Sequence, residues 1–159
     1  MKFRIAAVGK IKEDWLKAGI AEYVKRLTPT ASVEILDFPE NKMPDRPSEA
    51  AKQSVLEEEG EKLLRTVGAD DYVILLDTKG KELSSENLSA LLEKEMVAGH
   101  SRFTFLIGGP FGNGDNLRRR ADFCLKLSDM TFTHQMTRLI LAEQLYRAMK
   151  IMKHEPYHL

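Results

Sequence analysis

Residues 103–114 read Phe-Thr-Phe-Leu-Ile-Gly-Gly-Pro-Phe-Gly-Asn-Gly, an apolar run that breaks into four glycines. Glycine accepts backbone conformations that other residues avoid and lets a ligand approach the main chain, while Pro110 stiffens the turn. The carboxyl end of a buried strand in an open α/β sheet is a usual ligand position. Gly108, Gly109, Gly112 and Gly114 therefore form a candidate ligand loop; the alternative is a loop that only reverses the chain. A second concentration of chemistry lies downstream, where Arg138, Glu143 and Arg147 interrupt an apolar segment. Charges are costly to bury without partners. Glu143 and Arg147, four residues apart, can pair with each other on a helix. Cys124 is the only cysteine, which excludes an internal disulfide and a cysteine metal cluster; its apolar surroundings suggest a small buried thiol rather than a nucleophile.

The elements needed to position these groups follow from periodicity. Apolar strands are expected at 3–8, 33–38, 72–76, 103–107 and 123–127. A helix over 13–27 places Trp15, Leu16, Ile20, Tyr23, Val24 and Leu27 at three- and four-residue steps. Ser48 caps a helix to about Val67, with Glu57, Glu58, Glu59 and Glu61 on a solvated face. Ser84 or Ser85 caps another to about Val97, a short helix covers 116–121, and the last runs from about Thr133 to Met152. The third strand is expected to end at Asp77, before a turn through Gly80. Alternating strands and helices of this kind make one α/β domain over 1–159 with a mainly parallel sheet flanked by helices. The last helix is apolar on more than one stripe (Leu139, Ile140, Leu141, Ala142, Leu145, Tyr146, Ala148, Met149, Met152), and a homodimer is the simplest cover for a second stripe.

The chain has 159 residues, 43% hydrophobic and 30% charged, and no apolar run long enough for a membrane span. With no signal-peptide core behind Met1, a cytoplasmic location is expected. Net charge is zero, but its distribution is lopsided. Residues 1–99 carry 15 Lys and Arg against 19 Asp and Glu; residues 100–159 carry 9 against 5, together with all four histidines. A basic surface in one region can engage phosphates, and charges scattered on solvated faces would give the same count. The first strand runs into Val8-Gly9-Lys10 without the glycine fingerprint of a dinucleotide site, and no P-loop motif occurs. His134 and His158 stand in no cluster with metal-ligand spacing, and no metal is expected.

Taken together, Leu-Ile-Gly-Gly-Pro-x-Gly (106–112), Leu-Ser-x-Met-Thr-Phe (127–132), His134, Arg138, Ala-Glu-Gln-Leu-Tyr-Arg-Ala (142–148) and the terminal Pro156-Tyr157-His158 resemble the ribosomal RNA large subunit methyltransferase H family, within the SPOUT superfamily. The resemblance extends to Ala7-Val8-Gly9-Lys10 and Trp15 and so spans the chain. It implies a small α/β domain with a C-terminal trefoil knot, an exception to the rule against threading. It also implies methylation of N3 of a pseudouridine in 23S rRNA, on the assembled ribosome, with S-adenosyl-L-methionine as cofactor. Two protomers of a homodimer would share each active site. The implied cofactor residues are Leu76, Gly108, Leu127, Ser128, Asp129, Met130, Thr131 and Phe132, with backbone rather than carboxylate contacts at the variable position Asp129.

An imide N–H of the uracil type ionises about two units above neutrality, so forming the nucleophile at neutral pH asks for ~2.7 kcal/mol, within reach of one cation or a well-aimed base. Arg138 and Arg147 could stabilise charge on the base carbonyls or hold phosphate, and Glu143 could orient an arginine. His158 adjoins an aromatic, Tyr157, that could stack on a base. The resemblance makes Arg147, His158, Tyr157 and Glu143 the candidate catalytic residues, and Arg138, His134 and Arg118 candidate RNA contacts. The run Arg118-Arg119-Arg120 fits rRNA phosphates and a solvated helix face equally well. Two other functions stay open: a ribosome-binding module without catalysis, and a phosphoryl-transfer enzyme using Asp77, which would need a second carboxylate and a metal.

Overall fold

The structure, a computed structural model, describes residues 1–157. Ten elements alternate along the chain: β1 (Lys2–Val8), α1 (Asp14–Leu27), β2 (Ser32–Phe38), α2 (Glu49–Leu64), β3 (Tyr72–Glu82), α3 (Ser85–Val97), β4 (Arg102–Ile107), α4 (Asp115–Arg120), β5 (Phe123–Lys126) and α5 (His134–Met152). The five strands form one sheet in the order β2-β1-β4-β3-β5, and every pair is parallel. All carboxyl ends therefore lie along one edge. Ser48, Ser84 and Thr133 cap α2, α3 and α5 by accepting a backbone N–H three residues on, which satisfies one of the donors each helix start leaves over.

Because strand side chains alternate between faces, each buried strand feeds two cores. Phe3, Ile5, Ile74, Phe103, Phe105 and Ile107 meet α1, α3 and α5 on one side. Ala6, Val8, Val73, Leu75 and Leu106 meet Leu63 of α2 and Leu117 of α4 on the other. Among the described residues, no helix is long and apolar enough to cross a membrane.

Four expectations are revised. The second apolar stripe of α5 needs no other chain: α5 packs between α1 and α3 on the sheet, and Leu141 and Leu145 are wholly buried within the protomer. Trp15, placed on the apolar stripe of α1, is 62% exposed. Glu59 leaves the solvated face of α2 and is buried, where Oε2 accepts the Asn41 N–H at 3.0 Å. Strand β3 does not stop at Asp77. It shifts register between Leu76 and Lys81 and continues beside β5 to Glu82. Gly80 is the glycine of a close approach rather than of a turn, since a Cβ there would lie 2.5 Å from the Cys124 carbonyl oxygen.

At the opposite edge of the sheet, Asp71 joins three segments. Its carboxylate accepts from the Gly68 N–H at 2.9 Å, the Thr104 hydroxyl at 2.7 Å and the Arg102 guanidinium. Burial opposes ionisation of Asp71, but those donors outweigh it and hold its pKa below the usual carboxylate value. A depressed folded-state pKa contributes stability above the unfolded value, lost as pH falls through the folded one. Asp71→Asn is expected to cost about 2 kcal/mol at pH 7 and progressively less below about pH 4. Urea unfolding of both proteins at pH 7 and pH 3 checks this.

Candidate functional site

Where β3 and β4 end, the glycine loop and the segment 127–134 enclose a cavity of about 520 Å³, a volume suited to a nucleoside-sized ligand. Leu76 and Ile107 supply strand ends, Gly108, Gly109, Pro110 and Gly112 one wall, and residues 127, 128 and 130–133 the opposite wall. Seven of the eight residues expected to hold a cofactor thus line one space. Asp129 does not, because its exposed side chain turns outward to pair with Lys126.

Only Gly112 of the loop glycines has a positive φ, +102°. Gly108 is required for a different reason: a Cβ there would lie 2.2 Å from Asn113 Oδ1. The Asn113 side chain is turned inward, where Nδ2 donates to the Leu76 carbonyl at 2.9 Å and ties the loop to β3. Its Oδ1 is buried without a hydrogen-bond partner. A cavity with apolar walls, backbone carbonyls and an unmatched acceptor fits an adenine and a methionine tail, which bring amino donors and apolar surface. Asn113 and Thr137 also line the cavity and were not anticipated. Asn113 sat within the flagged loop, but nothing in the spacing of α5 marked Thr137.

Polar groups at the rim are already committed. Asp77 accepts from Arg118 Nε at 2.7 Å and from the Lys79 N–H at 3.0 Å. Burial acts against its charge, yet these donors keep its pKa low. Arg118 also reaches Asp115. A phosphoryl-transfer role for Asp77 meets two obstacles: its partner is a cation rather than a second carboxylate, and among the described residues no group of three His, Cys, Asp or Glu is placed to hold a metal ion. Cys124 is half-buried, and burial pushes its thiol pKa up, away from a reactive thiolate.

The expected RNA contacts divide. Arg118 stands at the rim; His134 lines the cavity with its ring largely enclosed; Arg138 is at the surface nowhere. The Arg138 guanidinium, wholly buried, donates to Asp37 Oδ1 at 2.9 Å and to the Val8 and Gly9 carbonyls at 3.0 and 2.8 Å. Burial alone would disfavour its charge, and Asp37 counters that. Contact with an RNA phosphate is thereby replaced by a structural role, pinning the first turn of α5 to the ends of β1 and β2.

Glu143, Arg147 and Tyr157 do come together, but away from the cavity. None of them lines it, and Glu143 and Arg147 lie about 14 and 20 Å along α5 from His134 at ~1.5 Å per residue. Glu143 Oε1 accepts from Arg147 and, at 3.1 Å, from the Tyr157 hydroxyl. The Tyr157 ring meets Tyr146 edge-on at 4.7 Å, with the Arg147 guanidinium 4.7 Å from its centroid. Burial, then hydrogen bonds to Tyr23 and Glu143, push the phenol far above its usual pKa. The tail is therefore docked as far as Tyr157, while His158 lies outside the described residues.

Comparison with known proteins agrees with this geometry. A family model described as "Predicted SPOUT methyltransferase" matches residues 1–158. Proteins named "Ribosomal RNA large subunit methyltransferase H" from Halothermothrix orenii, Carboxydothermus hydrogenoformans and Streptococcus agalactiae are 49%, 46% and 42% identical over 158 residues, covering 99% of each chain. A solved structure, "a probable methylase family protein from Haemophilus influenzae Rd KW20", superposes with a TM-score of 0.50 at 10% identity, covering 99% of this chain and 70% of that one, which speaks to fold alone.

The buried Arg138 gives a direct test. Arg138→Ala leaves the buried Val8 and Gly9 carbonyls without their donor and opens a cavity, and should cost about 3 kcal/mol. Arg138→Lys should recover only part, since one ammonium cannot reproduce the planar fork. Were Arg138 an RNA contact instead, the lysine variant would keep full stability in urea and lose only affinity for RNA.

Proposed function

The chain belongs to the SPOUT methyltransferase family, and on that premise we propose that it is a 23S rRNA pseudouridine N3-methyltransferase using S-adenosyl-L-methionine, and that it acts in the cytoplasm on the assembled ribosome as a homodimer. The cavity between the glycine loop and residues 127–134 carries this reading, because it gathers at one sheet edge the segments that the resemblance assigns to the methyl donor. When bound there, the donor supplies an electrophilic methyl group on a sulfonium. The chain's own part is to hold it through backbone groups of the loop, to keep Asp77 occupied by Arg118, and to offer the rim to a base. The knot that the resemblance implies belongs to the same proposal, since it would wrap these segments around the donor.

The homodimer rests on a separation of parts. Within one protomer, Glu143, Arg147 and Tyr157 stand well away from the cavity, so they can act on a base there only if a second copy brings its own set. Met130 and Phe132 at the cavity mouth are 75% and 38% exposed and give such a copy apolar surface to cover. Assembled ribosome as substrate follows from charge. A neutral chain with a modest basic excess after residue 99 has little sequence-independent affinity for free RNA and draws specificity from the shape of a large particle.

Calorimetry with S-adenosylmethionine separates this reading from a binding module without catalysis, which would take up no donor. Removal of residues 156–159 should leave donor affinity within about twofold while reducing methyl transfer to ribosomes by 100-fold or more, because the tail serves the base and not the donor. Full transfer by the truncated chain would show that Tyr157 and His158 play no part.

Sedimentation of the intact chain at micromolar concentration should give a dimer. A monomer that still methylates ribosomes would remove the shared site from the proposal, leaving the donor cavity intact.

A further inference from the structure

Among the described residues, four titratable side chains line the cavity: Asp77, Arg118, Lys126 and His134. Methyl transfer to an imide nitrogen must first dispose of a proton, and three of the four are unsuited to receive it. Asp77 and Arg118 neutralise each other at 2.7 Å, and Lys126 is held as a cation by Asp129 and Glu82. His134 remains. Burial and the Arg138 guanidinium one turn further along α5 lower its pKa, so its ring is neutral at neutral pH.

The orientation of the ring selects one nitrogen. Gly9, with φ +96°, lies beneath it, and a Cβ on Gly9 would fall 2.6 Å from His134 Nε2 and 3.0 Å from Cδ2. That edge therefore faces β1. Nε2 is enclosed without a hydrogen-bond partner, 3.4 Å from Glu40 Oε1, which is close enough for charge attraction and outside good hydrogen-bond geometry. The opposite edge, carrying Nδ1, is the one left for a ligand in the cavity that the ring lines. A carboxylate near one ring nitrogen and a reactant before the other is an arrangement that steadies an imidazolium by charge.

We propose that His134 Nδ1 accepts the N3 proton of the target base, with Glu40 as the positioning residue behind Nε2; this rests on reading the chain as a pseudouridine N3-methyltransferase. The N3–H bond breaks and its proton goes to Nδ1, while the electron pair stays on N3. That pair forms the new N3–CH₃ bond, and the pair of the broken S–CH₃ bond leaves with sulfur as a neutral thioether. The imidazolium, with Glu40 Oε1 3.4 Å from Nε2 favouring its charge and the Arg138 guanidinium acting against it, then returns its proton to solvent.

Three measurements test this. In the protein without substrate, the His134 ring signals followed by NMR should titrate below the ordinary histidine midpoint, and Glu40→Gln should move that midpoint further down; a midpoint that Glu40→Gln leaves in place overturns the positioning role. On ribosomes lacking the modification, His134→Asn should bind donor within about twofold of wild type while kcat falls by 100-fold or more. Its rate should also lose the acid-side inflection and climb about tenfold per pH unit until the imide itself ionises. A His134→Asn enzyme with wild-type kcat and an unchanged profile overturns the proposal, as does a loss confined to KM. If His134→Asn fails to bind donor, Glu40→Gln decides, with lowered kcat and an acid-shifted inflection expected and a wild-type profile counting against it. A wild-type protein that methylates no ribosome would instead defeat the underlying reading, leaving the NMR result to stand alone.

Discussion

One buried cation organises this molecule. Arg138 sits with no exposure between α5 and the ends of β1 and β2, and its guanidinium donates to the buried Val8 and Gly9 carbonyls and to the Asp37 carboxylate. A carbonyl at the end of a strand has run out of ladder partners, and the cheapest remedy is usually water. Here water is excluded, and a planar donor fork takes its place. The consequence is geometric: the start of α5 cannot shift relative to Val8 and Gly9, so everything attached to that first turn, His134 and the wall of the cavity included, is placed by the same contact.

The two polar assemblies of α5 differ in kind. At its start, Arg138 is fully enclosed and fixed to two strand-end carbonyls as well as to Asp37. Towards its end, Glu143, Arg147 and Tyr157 form a half-exposed network held by aromatic edges. Enclosed charges hold geometry because any rearrangement exposes an unpaired group to a low dielectric. A half-exposed network can exchange partners with a docking surface at small cost. One helix thus carries a fixed part at the donor cavity and an adaptable part suited to meeting something large.

Much of this was legible in the residues. The strands were found to within a residue or two apart from β3, because buried parallel strands read as continuous apolar runs, and serine caps marked where α2 and α3 begin. The cavity walls were found through the glycine loop and the motif at 127–132. What could not be read were matters of partner rather than type. Periodicity shows how many stripes of α5 are apolar, but not that α1 and α3 of the same chain cover them. Glu59 looks like its solvated neighbours until Asn41 folds over it. Arg138 on an apolar helix is equally an RNA contact and an internal clamp until residues more than a hundred positions away are seen to accept from it. Strand β3 outran its expected end because Gly80 allows a close approach, which no local rule distinguishes from a turn.

That last separation governs how the chain must be made. The acceptors of Arg138 lie 101, 129 and 130 positions earlier in the sequence. During synthesis β1 and β2 emerge first, with β4, the inner neighbour of β1, still to come and the clamp for their ends later still. Long-range closures carry an entropic cost that is recovered only when both sides are present, so the cavity is a late product of folding. A nascent chain stopped before α5 holds the glycine loop and all five strands yet lacks the clamp and the His134, Gln135 and Thr137 that complete the cavity lining. The protein becomes competent to bind anything there only after nearly its whole length has left the ribosome that made it.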